Sequence, residues 1–397
     1  MSQESSPAMQ RRETSRSIAR LTAKYFLLVA TKLVIIAFSE KRTVSGFFRI
    51  GDIFSSGCCN GIRFILSFKS VKDPSRLLIQ QTMMHVAFKN TSLPSQAELS
   101  PIVRILAYFS LFNYPLLSTE IARFLPTPRT SAELEEELNL LVAEAAIYRI
   151  GSFYSVIANP AIAERRRLGN IRAAALMKKA VKIGKFLSAF PFVTGIAVSG
   201  SLSKNFAEEN ADIDFFIITT ANRLWIARTL MHVFKKFTYL SGKQHLYCMN
   251  YYLDELALKI PEQNIYTAIE TATLLPIAGS GMHKFHRANL WTSEWFNSYA
   301  RQEEEFENVR RPILKRILEF LLNNDYLDKL LYRFTTRRWK KKHAKGMLNQ
   351  EGRRMNLESG RHFARSNPGF FQERILREYE MKLREINEDK SNSVSSM

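Results

Sequence analysis

The sequence predicts an α/β protein, on three observations. Two strongly apolar stretches, Val193–Val198 and Phe215–Ile218, bracket a glycine turn and a pair of aspartates. Amphipathic helical spacing lies on both sides of them. Three short helical patterns and a hairpin pattern come earlier in the chain. At 397 residues, 46% hydrophobic and 24% charged, the chain has a folded composition and the length of two or three domains. The expected order is a poorly structured basic extension over residues 1–95, a small module over 96–160, the α/β core over 161–290 and a helical basic region over 291–397.

The formal net charge is +20, which raises a polyanion as partner, but the charge is unevenly placed. Residues 1–80 hold 13 Lys and Arg against 5 acids, and residues 331–370 hold 11 against 2, while residues 81–330 hold 28 against 24. A polyanion role therefore belongs to the flanks. The first flank carries an apolar run, Tyr25–Phe38, that is too short for a bilayer span of roughly 20 residues. No small-residue cleavage site follows closely, so residues 1–82 read as lying upstream of the functional fold, with Met83 or Met84 as the start. The three cysteines, Cys58, Cys59 and Cys248, form no disulfide framework and suit a reducing, cytoplasmic setting. The histidines are scattered, and the pair His283 and His286 reads as a solvated loop rather than a zinc site.

From Pro101, Ile102, Ile105, Leu106 and Phe109 recur at helical spacing. Ser118 opens a second helix with Ile121 and Leu125, and Ser131 opens a third with Leu134, Leu138 and Leu141. Tyr148–Ile157 then alternates around Gly151 as a hairpin. This order resembles a winged helix-turn-helix domain, which would imply DNA binding through the third helix. That helix instead carries Glu133, Glu135, Glu136, Glu137 and Glu144, with no Lys or Arg from Ser131 to Ala146. Carboxylates repel phosphates, so the module is expected to be structural or protein-contacting and to bind no duplex DNA.

A long helix with Leu176, Ala180, Ile183 and Leu187 on one face leads to Pro191, then to the strand Val193–Val198 and the turn Gly200-Ser201. Asp212-Ile213-Asp214 follows and opens the strand Phe215–Ile218. In a strand, positions i and i+2 share a face about 7 Å apart, so both carboxylates would aim at one place while Ile213 enters the core. Paired oxygen ligands suit Mg²⁺, which completes its shell with water and substrate phosphates. A glycine turn lets backbone amides approach a phosphate, and the Ser201 hydroxyl adds a donor.

The segment from about Phe192 to Thr220, with its apolar strand, Gly-Ser, Asp-x-Asp and second apolar strand, resembles the nucleotidyltransferase superfamily of the DNA polymerase beta type. The resemblance covers roughly 120 residues. It implies a mixed-sheet nucleotidyltransferase-like core behind the amino-terminal winged-helix domain and before the helical carboxy-terminal region. It further implies Mg²⁺ and a nucleoside triphosphate, with Gly200 and Ser201 on phosphate and Asp212 and Asp214 on metal. Members usually carry a third carboxylate on a later strand. The matching strand here, His245–Leu253, holds Asn250 at its centre, which cannot act as a base. Asp254, four residues on, is the alternative third acid if that strand is shorter or bulged.

Lys204 reads as a turn cation near phosphate. Ser201-x-x-Lys204 satisfies the S-x-x-K pattern, but the strand at Asp214 follows too soon for that chemistry, and the Gly-Lys-Ser/Thr ending of a Walker A loop is missing. Glu262–Leu275 is expected as a helix stopped by Pro276, with Glu270 buried or at the cleft. Trp291 and Trp295 are expected as packing anchors. Arg337, Arg338, Lys340, Lys341 and Lys342 surround Trp339 and could meet RNA or an anionic surface. The tail Lys390–Met397 is expected to be disordered. The expected activity is transfer of a nucleoside monophosphate from a triphosphate to an unidentified hydroxyl acceptor. The alternative is a catalytically reduced nucleotidyltransferase-like adaptor binding protein or RNA.

Overall fold

The computed structural model describes residues 99–238, 244–301, 312–344, 357–367 and 369–395. The expectations for residues 1–95, including a start at Met83 or Met84, lie outside the described residues. Those described divide into two compact units, residues 164–372 and residues 99–163 together with 373–395.

In the second unit, α1 (Pro101–Ser110) begins where the Ser100 hydroxyl accepts the Ile102 amide at 3.2 Å, which satisfies one of the orphan N–H groups of the first turn. The short strand β1 (Leu116–Leu117) runs into α2 (Ser118–Arg123), where the Leu117 amide donates to the Glu120 carboxylate. α3 (Ser131–Ala143) is opened by a reciprocal box in which Thr130 and Glu133 bond each other's amides. The hairpin β2 (Tyr148–Ile150) and β3 (Phe153–Ser155) turns at Gly151, whose φ of +64° suits a residue without Cβ. The sheet order is β1-β3-β2, all antiparallel. The two-residue β1 was not legible as a strand in the sequence. Within α3, Glu135 accepts the Tyr154 hydroxyl and Glu137 accepts the Ser100 hydroxyl at 3.1 Å, so part of its acidity is spent on tying the unit together.

The other unit is a mixed sheet with helices on both faces. α4 (Ala161–Leu187) leads to β4 (Val193–Ser199), the single turn α5 (Gly200–Ser203) and β5 (Asp214–Thr219). α6 (Leu224–Thr238), β6 (Cys248–Asp254), α7 (Ile265–Ala272), β7 (Leu275–Ala278) and α8 (Gly281–Ala288) follow. Then come α9 (Ile313–Leu322), α10 (Asp325–Ala344), β8 (Leu357–Ser359) and β9 (Phe363–Ser366); the last helix, α11 (Phe371–Ser395), belongs from residue 373 to the unit of residues 99–163. The strand order is β7-β4-β5-β6-β9-β8; only β5 and β6 run parallel, joined through the crossover helix α6. Ala173, Ala180 and Leu187 of α4 share one core with Phe215 and Ile217 of β5 and Trp225 and Met231 of α6. On the other face Phe216 meets Phe285 of α8 edge-on at 4.9 Å. Because both faces of β5 are covered, it reads as a continuous apolar run rather than an alternating one.

The structure differs from the sequence reading in the carboxy-terminal third. Residues 291–397 were expected as a helical region of their own, yet β8 and β9 extend the core sheet beside β6. These strands are three and four residues long, too short for an alternation signal. α11 continues to Ser395, where Lys390–Met397 was expected to be disordered. The helix expected over Glu262–Leu275 is shorter, and Pro276 sits in β7 at the edge of the sheet, where a missing N–H can face away from the ladder. His283 and His286, expected on a loop, lie on α8, and the His286 Nε2 is 2.8 Å from the Tyr299 carbonyl oxygen.

Candidate functional site

The site is built where β4 ends and β5 begins. Their antiparallel register sets Ser199 opposite Asp214, so the turn after Ser199 is held against the Asp214 carboxylate. Gly200 has φ +69°, and a Cβ added there would stand 2.7 Å from the Asp214 Oδ2. Both the backbone angle and the close approach therefore require glycine. Ser201 is exposed beside it. The Lys204 Nζ donates to the Gly200 carbonyl at 3.1 Å and to the Glu270 Oε1 at 2.9 Å, so its charge is balanced by a carboxylate from α7.

Asp212 precedes β5 rather than lying within it. Strand pleating therefore does not place Asp212 and Asp214 on one face, although Ile213 is fully buried as expected. Asp212 nonetheless stands close enough to act on Asp214. Burial, and then the charges of Asp212 and Glu270, push the Asp214 carboxyl up to about 7, opposed by a hydrogen bond from Cys248 and by the Lys235 charge. Burial and the charges of Glu270 and Asp214 likewise push the Tyr266 hydroxyl well up. The Tyr266 and Glu270 face of α7 thus borders the acids.

Asn250 reaches the same point. The pairing of β5 with β6 slips by one residue between Phe215 and Phe216, which leaves Asn250 as the extra residue between Met249 and Tyr251. Such a bulge re-aims a side chain; here the Asn250 Nδ2 donates to the Asp214 Oδ1 at 2.7 Å, and its Oδ1 faces the Cys248 Sγ at 3.2 Å.

Asp254 does not join the group. It pairs with Thr219 at the far end of β5, five residues or about 16 Å from Asp214. There it is fully buried and accepts the amides of Asn222 at 2.9 Å and Leu256 at 3.0 Å, with the His362 Nδ1 at 2.8 Å. These bonds fix the entry to α6, and the expectation that Asp254 supplies a third catalytic carboxylate is corrected. The bulge on which that expectation depends exists, but it turns Asn250 towards Asp214 and leaves Asp254 at the opposite end of the β5/β6 pair.

The structure therefore brings together Gly200, Ser201, Lys204, Asp212 and Asp214, and adds Glu270, Asn250 and Cys248. Glu270 could be placed on a helix from sequence but not opposite Lys204, because 66 residues separate them. Among the described residues no three His, Cys, Asp or Glu side chains gather closely enough to hold a metal ion by themselves. No described helix is long and apolar enough to cross a membrane. Arg337, Arg338, Lys340 and Lys341 lie on α10, which also runs through Lys342. A scan against protein-family models found no match, and searches of curated proteins and of solved structures found none either.

Proposed function

We propose that the Gly200 turn and the Asp212/Asp214 pair form a nucleoside triphosphate site for metal-dependent nucleotidyl transfer to a hydroxyl acceptor. The observation that carries this reading is the contact of Gly200 with Asp214: a turn that can present amides to phosphate is pressed against a carboxylate that burial holds close to neutrality. A buried acid beside a second acid gains most from a divalent cation, and two carboxylates with substrate phosphates suffice for Mg²⁺. When bound, Mg²⁺ supplies Lewis-acid stabilisation of charge on the transferring phosphoryl group. The chain's own parts are the Gly200-Ser201 turn, which orients the phosphates, the Lys204 cation, and Glu270, which balances that cation before substrate enters.

A second reading is favoured by Asn250. A neutral amide stands on Asp214 where the superfamily usually has a third acid, so the proton of the acceptor hydroxyl would pass to water or to a substrate phosphate oxygen, or the activity is reduced, leaving a triphosphate-binding adaptor. Residues 99–163 support a winged-helix reading through their order of three helices and a hairpin; the acidity of α3 makes that module a protein-contacting one. Calorimetric titration with Mg²⁺ and ATP, paired with pyrophosphate release from a panel of triphosphates, separates the readings. Both signals are expected from an enzyme, binding alone from an adaptor. Absence of any metal-dependent binding, or binding unchanged in Asp212→Asn and Asp214→Asn, overturns both.

A further inference from the structure

α9 is apolar on the side that packs and on the side that does not. Leu318 and Leu322 face inward with Lys315, whose buried Nζ donates to the carbonyls of Ser188 at 2.9 Å and Val193 at 2.7 Å. Glu319 is taken by the Phe192 amide at 2.8 Å. The outward stripe is Ile313, Leu314, Ile317, Phe320 and Leu321, at positions i, i+1, i+4, i+7 and i+8, with Ile313 76% and Phe320 84% exposed. A surface helix of a water-facing unit normally turns polar residues outward, so a stripe of five large apolar side chains marks an interaction face.

α10 follows after two residues and continues the surface with a different character. Its outward side carries Tyr326, Leu330 and Phe334, all exposed, among the exposed cations Lys329, Arg333, Arg337, Lys340 and Lys341. The inward side is anchored by Asp328, fully buried, which accepts the Ile226 amide at 2.9 Å and pairs with Arg361. One strip of the unit is thus aliphatic and aromatic, and the adjoining strip is cationic.

We propose that the outer faces of α9 and α10 form a docking surface for an anionic lipid bilayer, lying in the interface with the α9 stripe in the acyl boundary and the α10 cations on the headgroups. The charge complementarity is with phosphate-bearing headgroups, and the apolar stripe matches the shallow burial of interfacial helices. Lys and Arg stems lie along apolar surface while their heads reach the charged layer. Nucleic acid would satisfy the cations but leave Ile313, Leu314, Ile317 and Leu321 in water, since it offers stacking faces and phosphates rather than alkyl chains. The inference stands apart from the triphosphate site and uses none of its residues.

The full chain is tested by co-sedimentation with phosphatidylcholine vesicles, with and without phosphatidylserine. Binding is expected to the phosphatidylserine vesicles and to weaken as salt is raised. Arg333→Glu, Arg337→Glu and Lys340→Glu together should reduce it on the order of a hundredfold or more, since each near-surface cation contributes about 1 kcal/mol, roughly a factor of five. Ile313→Glu with Phe320→Glu should abolish it. All five positions are exposed, so far-ultraviolet dichroism and the thermal transition should remain those of the parent chain. Equal vesicle binding by the variants overturns the proposal. So does RNA binding lost in the charge variant with no vesicle binding by the parent, or a dimer in ultracentrifugation that Phe320→Glu dissociates while vesicles bind nothing.

Discussion

Asp214 is the residue on which the site's energetics turn. Its carboxyl is pushed up to about 7 from an ordinary 3.8, by burial first and the Asp212 charge second. Between about pH 4 and pH 7 the fold holds a proton that the unfolded chain has released. The contribution of this group to stability is therefore greatest at acid pH, falls as pH rises through that window and is level above it. Asp214→Asn should remove the slope and raise stability at pH 8 by about 2–4 kcal/mol, because asparagine can still accept from Asn250 and carries no charge to bury. With Mg²⁺ and ATP the order should reverse, the parent gaining in melting temperature and the variant not. Melting curves across that pH range check both halves, and a parent chain equally stable at pH 5 and pH 8 would contradict the first. Gly200→Ala should cost about 1–3 kcal/mol from the positive φ alone and remove triphosphate binding by displacing Asp214.

At the scale of elements, the two ends of the parallel pair β5 and β6 do different work. The Asp214 end gathers acids, and the Asp254 end is sealed by hydrogen bonds to the loop before α6. Asp254→Ala should therefore destabilise the fold by about 2–4 kcal/mol by orphaning two amides while leaving triphosphate affinity unchanged; loss of affinity without loss of melting temperature would return Asp254 to the site. Most of the helices and the three central strands could be read from the chain, because 3.6-residue spacing and long apolar runs are local signals. The turn at Gly200-Ser201 and the Asp-Ile-Asp run were legible for the same reason. The bulge at Asn250 was not, since a one-residue slip is a property of two strands together. Glu270 was seen as a helical residue, but its place opposite Lys204 depends on how α7 packs. β8 and β9 escaped because three or four residues carry too little pattern, and Pro276 misled because a proline after a helix also suits an edge strand.

For the whole molecule, the division into units departs from chain order. Residues 99–163 form one unit with residues 373–395, and Tyr379 of α11 meets Tyr108 of α1 edge-on at 5.8 Å, with its hydroxyl pushed up by burial. A chain of residues 99–163 alone should melt at a lower temperature than one in which residues 373–395 are joined to it by a flexible linker. Tyr379→Ala in the full chain should cost about 3–5 kcal/mol and speed hydrogen exchange across α1. Equal melting of the two short chains would mean that α11 only rests on a finished fold. If α11 is needed, the unit has a birth order problem. A ribosome adding about 5–20 residues per second completes α1 on the order of 10–50 s before Tyr379 exists, so for that interval the first-made unit waits for its last-made helix. Its aromatic seam is then a surface that chaperones can reach, and a stalled ribosome past residue 163 would display a nascent chain that cannot finish folding however long it waits.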